Sequence, residues 1–147
     1  MKILYLCTGN SARSQMAEAF TRSMLPHGAP IEVFSAGTAP SGLHPETAAV
    51  MGEAGVDMSG YRSKPMSDVP FDSIDLVVTL CDDARRSCPA PPSGARRIHW
   101  GLKDPTEAGG SPDETRQAFR DTRDEVLTCV KRLMFELATT RSLRSAT

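Results

Sequence analysis

The sequence predicts a single α/β domain, a parallel four-stranded sheet flanked by helices. Strand-like apolar runs alternate with helix-period segments, the pattern of parallel strands joined by crossover helices. A length of 147 residues is that of one domain. The 39% of hydrophobic residues, before eleven glycines are added, suffices for one core without covalent staples.

Residues 3–6, Ile-Leu-Tyr-Leu, read as a first strand that ends in the turn signal Cys7-Thr8-Gly9-Asn10-Ser11. Met16, Phe20 and Met24 recur at a spacing of four, one face of a helix that stops near Pro26. A second strand covers residues 31–34 and is closed by Ala36-Gly37; a helix then runs from Pro45 to Gly55. Residues 74–80 are the most apolar strand, rich in β-branched side chains and expected to be central. Residues 96–100 make a fourth strand. Ser111-Pro112-Asp113-Glu114 has the form of a capping box, and Phe119, Val126, Val130, Leu133 and Leu137 mark the apolar face of a long last helix. The domain is expected to span residues 1–138, with 139–147 a polar tail that frays.

Charge excludes several functions. Seventeen basic residues against eighteen acidic ones argue against a nucleic-acid surface or an acidic tail. No apolar run approaches the roughly 18 residues of a membrane span. A strand that begins at Lys2 leaves no room for a signal peptide, so a cytoplasmic location is expected. There a stabilising disulfide framework is not expected, and Cys7, Cys81, Cys88 and Cys129 are reactive, metal-bound or buried thiols.

In parallel sheets ligands bind beyond the carboxyl ends of the strands. Here the first and third strands are each followed by a cysteine. Gly9 and Asn10 tolerate positive φ, so residues 7–14 can curl and turn backbone N–H groups inward as an anion nest, aided by the helix that follows. That field also favours a cysteine thiolate at its mouth, with Ser14 as a further hydrogen-bond donor. Arg13 can fold back, its planar fork suited to two oxygens of a tetrahedral oxyanion. The arrangement is one for nucleophilic catalysis; taken singly, the same residues read as a buried thiol, a loop and a surface charge.

Cys-x5-Arg-Ser after an N-terminal strand resembles the phosphate loop of low-molecular-weight protein tyrosine phosphatases. The longer string Cys7-Thr8-Gly9-Asn10-Ser11-Ala12-Arg13-Ser14-Gln15-Met16-Ala17-Glu18 resembles the thioredoxin-coupled arsenate reductases of the same fold. This resemblance makes Cys7 the nucleophile and Thr8, Gly9, Asn10, Ser11, Ala12, Arg13 and Ser14 the substrate-binding loop.

Cys81 ends the third strand, and Cys88 follows seven residues later before Pro89. Asp82-Asp83 and Arg85-Arg86 suit a short helix aligned with its dipole. Seven helical residues span about 10.5 Å, whereas a disulfide needs Cα atoms within roughly 7 Å. If this segment is helical when reduced, a Cys81–Cys88 disulfide requires the helix to loop out. Cys-x6-Cys is not zinc spacing, and no second close pair exists. Val77-Val78-Thr79-Leu80-Cys81 with Cys88-Pro89 resembles the redox segment of the same reductases, which the phosphatases do not need. Cys129, beside the stripe of the last helix, is read as packing.

Both families carry an Asp-Pro whose aspartate protonates the leaving oxygen, which implies Asp104 as general acid. The phosphatases follow it with tyrosines; here Thr106-Glu107-Ala108-Gly109-Gly110 follows instead. His99 is read as structural. Some of the reductases have a further cysteine at Ala12 and hold potassium beside the loop. The matching positions are Asn10, Glu18 and Ser35, but an aspartate ligand corresponds to Lys64, so no metal is expected. The resemblance implies arsenic detoxification: arsenate reduced through Cys7, Cys81 and Cys88, phosphate competing, no bound cofactor, and thioredoxin or another small thiol protein as external reductant. A low-molecular-weight phosphatase using Cys7, Arg13 and Asp104 is the alternative activity. A noncatalytic oxyanion-binding or redox-sensing module is the alternative without turnover.

Overall fold

The structure, a computed structural model, describes residues 1–91 and 94–145, with side-chain surroundings as far as residue 140. It contains β1 (Lys2–Cys7), α1 (Arg13–Met24), β2 (Glu32–Gly37), α2 (Pro45–Glu53), β3 (Leu76–Thr79), α3 (Asp82–Ser87), β4 (Arg96–His99) and α4 (Pro112–Ser145). Single 3₁₀ turns at Met66–Asp68, Phe71–Ser73 and Pro105–Glu107 lie in the connections and have no periodicity to betray them in the sequence.

The four strands are parallel, in the order β2-β1-β3-β4. Every residue from Ile3 to Cys7 is buried, as is every residue from Leu76 to Thr79. Because neighbouring side chains on a strand point to opposite faces, both faces of β1 and β3 are covered. Edge strand β4 instead exposes Arg96 and Arg97. α4 packs against α1 and α2 and inserts Phe119, Val126, Val130 and Leu133 into the core. At its start the Ser111 hydroxyl accepts the Glu114 N–H at 3.2 Å and donates to the Glu114 carboxylate at 3.3 Å.

One boundary differs from expectation. The segment read as a fraying tail from Thr139 continues α4 to Ser145. It contains neither glycine nor proline, so nothing in it stops the helix, and the Thr139 hydroxyl donates back to the Phe135 carbonyl at 2.9 Å. Ala146 and Thr147 of that tail lie outside the described residues.

The order 2-1-3-4 makes the carboxyl end of β1 a switch point, because the chain leaves it toward β2 on one side and has β3 on the other. Leu6 pairs with Thr79, and the Leu80 N–H donates to the Leu6 carbonyl at 2.9 Å. Cys7 and Cys81 therefore end adjacent strands.

Candidate active site

Beyond these strand ends opens a cleft of about 860 Å³, lined by residues 7–9 and 11–13, by Cys81 and Asp82, and by Asp104. Asn10 alone in the loop takes the left-handed conformation, φ 48°, which turns its N–H onto the Cys7 sulfur at 3.3 Å. Gly9 has no such φ; a Cβ there would sit 2.6 Å from Ser41 Oγ, a contact that rotation of the exposed Ser41 hydroxyl relieves. Gly37 at the end of β2 is needed for space, because a Cβ there would meet the Thr8 backbone carbonyl at 2.5 Å.

Asn10 and Ser14 are wholly buried and brace the loop from behind rather than lining the cleft. The Asn10 amide donates to Ser14 Oγ at 2.8 Å and to Ser35 Oγ at 3.0 Å. Ser14 Oγ lies 2.8 Å from Cys7 Sγ, so its hydroxyl can join the Asn10 N–H as a second donor to a thiolate there. Ser11 lends its carbonyl to the His44 N–H at 3.1 Å and to Thr47 Oγ1 at 2.8 Å.

Arg13, the first residue of α1, is buried and lines the cleft. Its Nη1 donates to the Leu102 carbonyl at 2.9 Å and reaches the Leu80 carbonyl at 3.5 Å; Nη2 lies 3.5 Å from Asp104 Oδ2. Asp104 Oδ1 is occupied by the N–H and hydroxyl of Thr106, at 2.9 and 2.7 Å. Its Oδ2 thus remains for a substrate oxygen beside the guanidinium.

Cys81 and Cys88 cap the two ends of α3, and both thiols are free. Cys81 Sγ accepts the Ala84 N–H at 3.3 Å and lies 3.3 Å from Thr8 Oγ1, which ties it to the anion loop. Cys88 is buried at the far end, its thiol on the Pro89 carbonyl at 3.3 Å. Burial pushes the Cys88 thiol up from its ordinary value, opposed by the nearby Arg97 guanidinium. Because the segment is helical, the two cysteines sit about 10.5 Å apart along the axis, too far for a disulfide without unwinding. Cys129 is elsewhere, half-buried beside Ile98, Trp100 and Leu133, its thiol likewise pushed up by burial.

Lys64 Nζ sits where Glu18 and Ser35 converge, 3.4 Å from the carboxylate, 3.3 Å from the hydroxyl and 3.4 Å from the Arg62 carbonyl. Among the described residues no group of three or more His, Cys, Asp or Glu side chains could hold a metal. Sequence patterning gives no sign of Gln15, His44 or Thr47, all of which fasten the loop. Gln15 is wholly buried, and its amide donates to Asn10 Oδ1 at 3.0 Å, the Asn10 carbonyl at 3.2 Å and the Arg62 carbonyl at 2.8 Å. The one available signal is its place in a helix whose residues Arg13 to Thr21 are all buried, where a polar side chain must find partners.

Residues 2–143 match the family described as low molecular weight phosphotyrosine protein phosphatase. An arsenate reductase of Halalkalibacterium halodurans is 44% identical over 124 residues, covering 84% of this chain and 88% of that one. An arsenate reductase solved in a phosphate-binding state superposes with a TM-score of 0.72 at 32% identity, over 92% of this chain and 97% of that one. A thioredoxin-dependent arsenate reductase from Corynebacterium glutamicum superposes with a TM-score of 0.62 at 27% identity, over 88% of this chain and 61% of that one.

Proposed function

This chain belongs to the low molecular weight phosphotyrosine protein phosphatase family, and from that premise we propose that it reduces arsenate through a Cys7–Cys81–Cys88 relay. The reduction of arsenate is the activity of relatives matched over most of the chain. The order of thiol steps rests on one observation: Cys7 and Cys81 end adjacent strands and line one cleft, while Cys88 waits beyond α3.

Arsenate binds to the loop of residues 7–14 under Arg13. The Cys7 thiolate attacks arsenic, and Asp104 protonates the departing oxygen so that it leaves as water. Cys81, as thiolate, then attacks the Cys7 sulfur. The electron pair of the S–As bond stays on arsenic, which leaves as arsenite, and the two cysteines are left oxidised as a disulfide. Cys88 attacks Cys81 and expels the Cys7 thiolate. The unwound segment presents the Cys81–Cys88 disulfide to the dithiol of thioredoxin. The Corynebacterium glutamicum neighbour, thioredoxin-dependent by name, supports that reductant. A thiol relay also requires a reducing compartment, and we assign the reaction to the cytoplasm. Phosphate, of the same shape but not reducible, competes for the loop. A phosphotyrosine substrate is disfavoured, because among the described residues no Phe, Tyr or Trp lines the cleft.

The test is arsenate reduction with thioredoxin, its reductase and NADPH. Cys88→Ser is expected to release one arsenite per enzyme and stall as the Cys7–Cys81 disulfide; recycling at the wild-type rate would overturn the relay. We further propose that the Lys64 ammonium, beside Glu18 and Ser35, stands in for a monovalent cation. Replacing sodium by potassium at constant ionic strength then changes turnover by less than about twofold. A steep rise with potassium would contradict it.

A further inference from the structure

α3 has only six residues, too few to be helical by propensity alone, since isolated helices below roughly 12 residues are marginal in water. It buries one side chain of its own, Ala84. Two polar contacts from edge strand β4 hold it further. Arg97 donates to the Arg85 carbonyl in the last turn, and His99 Nε2 lies 3.2 Å from Asp82 Oδ1 in the first turn. Arg97 and His99 are two residues apart on one strand; their side chains leave the same face. The ring is also held on its other nitrogen, with Thr79 Oγ1 2.7 Å from Nδ1. A carboxylate only accepts, so Nε2 carries the proton toward Asp82, and Nδ1 can accept from the Thr79 hydroxyl.

We propose that Thr79, His99 and Asp82 form a latch that keeps α3 wound and thereby sets the reduction potential of the Cys81–Cys88 pair. The inference rests on the relay above. Closing that disulfide brings together two residues that the helix holds about 10.5 Å apart, so α3 must unwind, and in this proposal the turn carrying Asp82 is released with it. The His99–Asp82 contact is therefore made in the dithiol form and broken in the disulfide form. An interaction present in one state favours that state by its own free energy. The latch favours the dithiol and makes the disulfide easier for an external dithiol to reduce. His99 is a positioning residue, acting through Asp82 on the helix between the cysteines.

The experiment uses the full chain with Cys7→Ser and Cys129→Ser, which leaves only the relevant pair. Titration with oxidised and reduced dithiothreitol exchanges one protein dithiol for one cyclic disulfide. The product is read by thiol alkylation and peptide mass mapping. His99→Ala is expected to move the equilibrium roughly threefold toward the protein disulfide, which is about 14 mV at 29.6 mV per tenfold for two electrons. Asp82→Ala moves it at least as far, because it also removes a negative charge from the N-terminal turn. Adding His99→Ala to Asp82→Ala changes nothing more. His99→Gln, whose amide reaches the place of Nε2, stays near the parent value, whereas His99→Asn, which can replace only Nδ1, behaves like His99→Ala. Additive shifts, or equal behaviour of His99→Gln and His99→Asn, would overturn the latch and leave the relay standing. If no Cys81–Cys88 disulfide forms at any ratio of the reagent, both fail.

Discussion

The loop after β1 and the helix after β3 both carry a reacting cysteine, yet they are built in opposite ways. Around Cys7 the fastening groups are interior: Asn10, Ser14 and Gln15 are wholly buried, and they bond to one another and to residues of β2 and the segment before β3. In α3 only Ala84 is buried, and Asp82, Asp83, Arg85, Arg86 and Ser87 all face water. Its two flanking cysteines and Ala84, at positions 81, 84 and 88, form one inward stripe. An oxyanion site must keep one geometry, and the buried hydrogen bonds among these side chains provide it, with Gln15 Oε1 left unpartnered among the described residues. A segment that must unwind in every turnover needs a small gap between its two states, and few buried contacts provide that.

The sharpest way to break the contrast is Gln15→Leu. Leucine removes the donor shared by Asn10 and the Arg62 carbonyl, while Lys64 keeps its N–H on Asn10 Oδ1 and its ammonium near the Arg62 carbonyl, a loss of about 1 kcal/mol by the net worth of a hydrogen bond. Urea unfolding should register it. Phosphate inhibition of arsenate reduction should weaken by about tenfold or more, because freedom at Asn10 displaces the loop N–H groups. An unchanged phosphate inhibition constant in a destabilised Gln15→Leu protein would mean that the loop is held without its buried brace.

Arg85→Gly probes the other region and should have a smaller effect. Glycine in a helix costs about 0.8 kcal/mol relative to arginine, or roughly fourfold in equilibrium. In the Cys7→Ser, Cys129→Ser chain the Cys81–Cys88 equilibrium should shift by that factor toward disulfide. In the enzyme with its native cysteines the arsenate KM should not change. A KM that moved with Arg85→Gly would show that winding of α3 and binding in the loop are one process rather than two.

How far these regions were legible in the sequence follows from the same difference. The nucleophile loop announces itself because strand, Cys7, Gly9, Asn10 and Arg13 are contiguous and each residue type suits one local geometry. Cys81 and Cys88 are legible through spacing, and the helix between them through its ordered charges. The strands, α1 and α4 could be read from their apolar patterns, and α2 from Pro45 at its start and Gly55 at its end. Gln15, His44 and Thr47 could not, since their partners lie across the fold and nothing near them in sequence marks the contact. The end of α4 is hard to read for another reason: the segment from Thr139 is polar, which suggests fraying, yet it has no residue able to break a helix, and α4 continues to Ser145. Asp82 and His99 are 17 residues apart, and their contact depends on the register of β3 with β4.

The smallest predicted effect concerns the fourth cysteine. Cys129 lies in α4, half-buried beside Ile98 and Leu133, and is not among the residues lining the cleft. Burial raises its thiol as it does that of Cys88, so its place away from the cleft, not its acidity, sets it apart. Its loss should remove only part of a half-buried side chain, worth less than about 1 kcal/mol. Cys129→Ala is therefore expected to leave arsenate turnover with thioredoxin within about twofold of wild type and to lower the unfolding midpoint slightly. Turnover numbers and alkylation mapping of the oxidised enzyme check this directly. A mixed disulfide of Cys129 with Cys88 that accumulates during catalysis would add a fourth member to the relay. It would also place part of the redox chemistry on the long helix, where the contrast between rigid loop and unwinding helix does not reach.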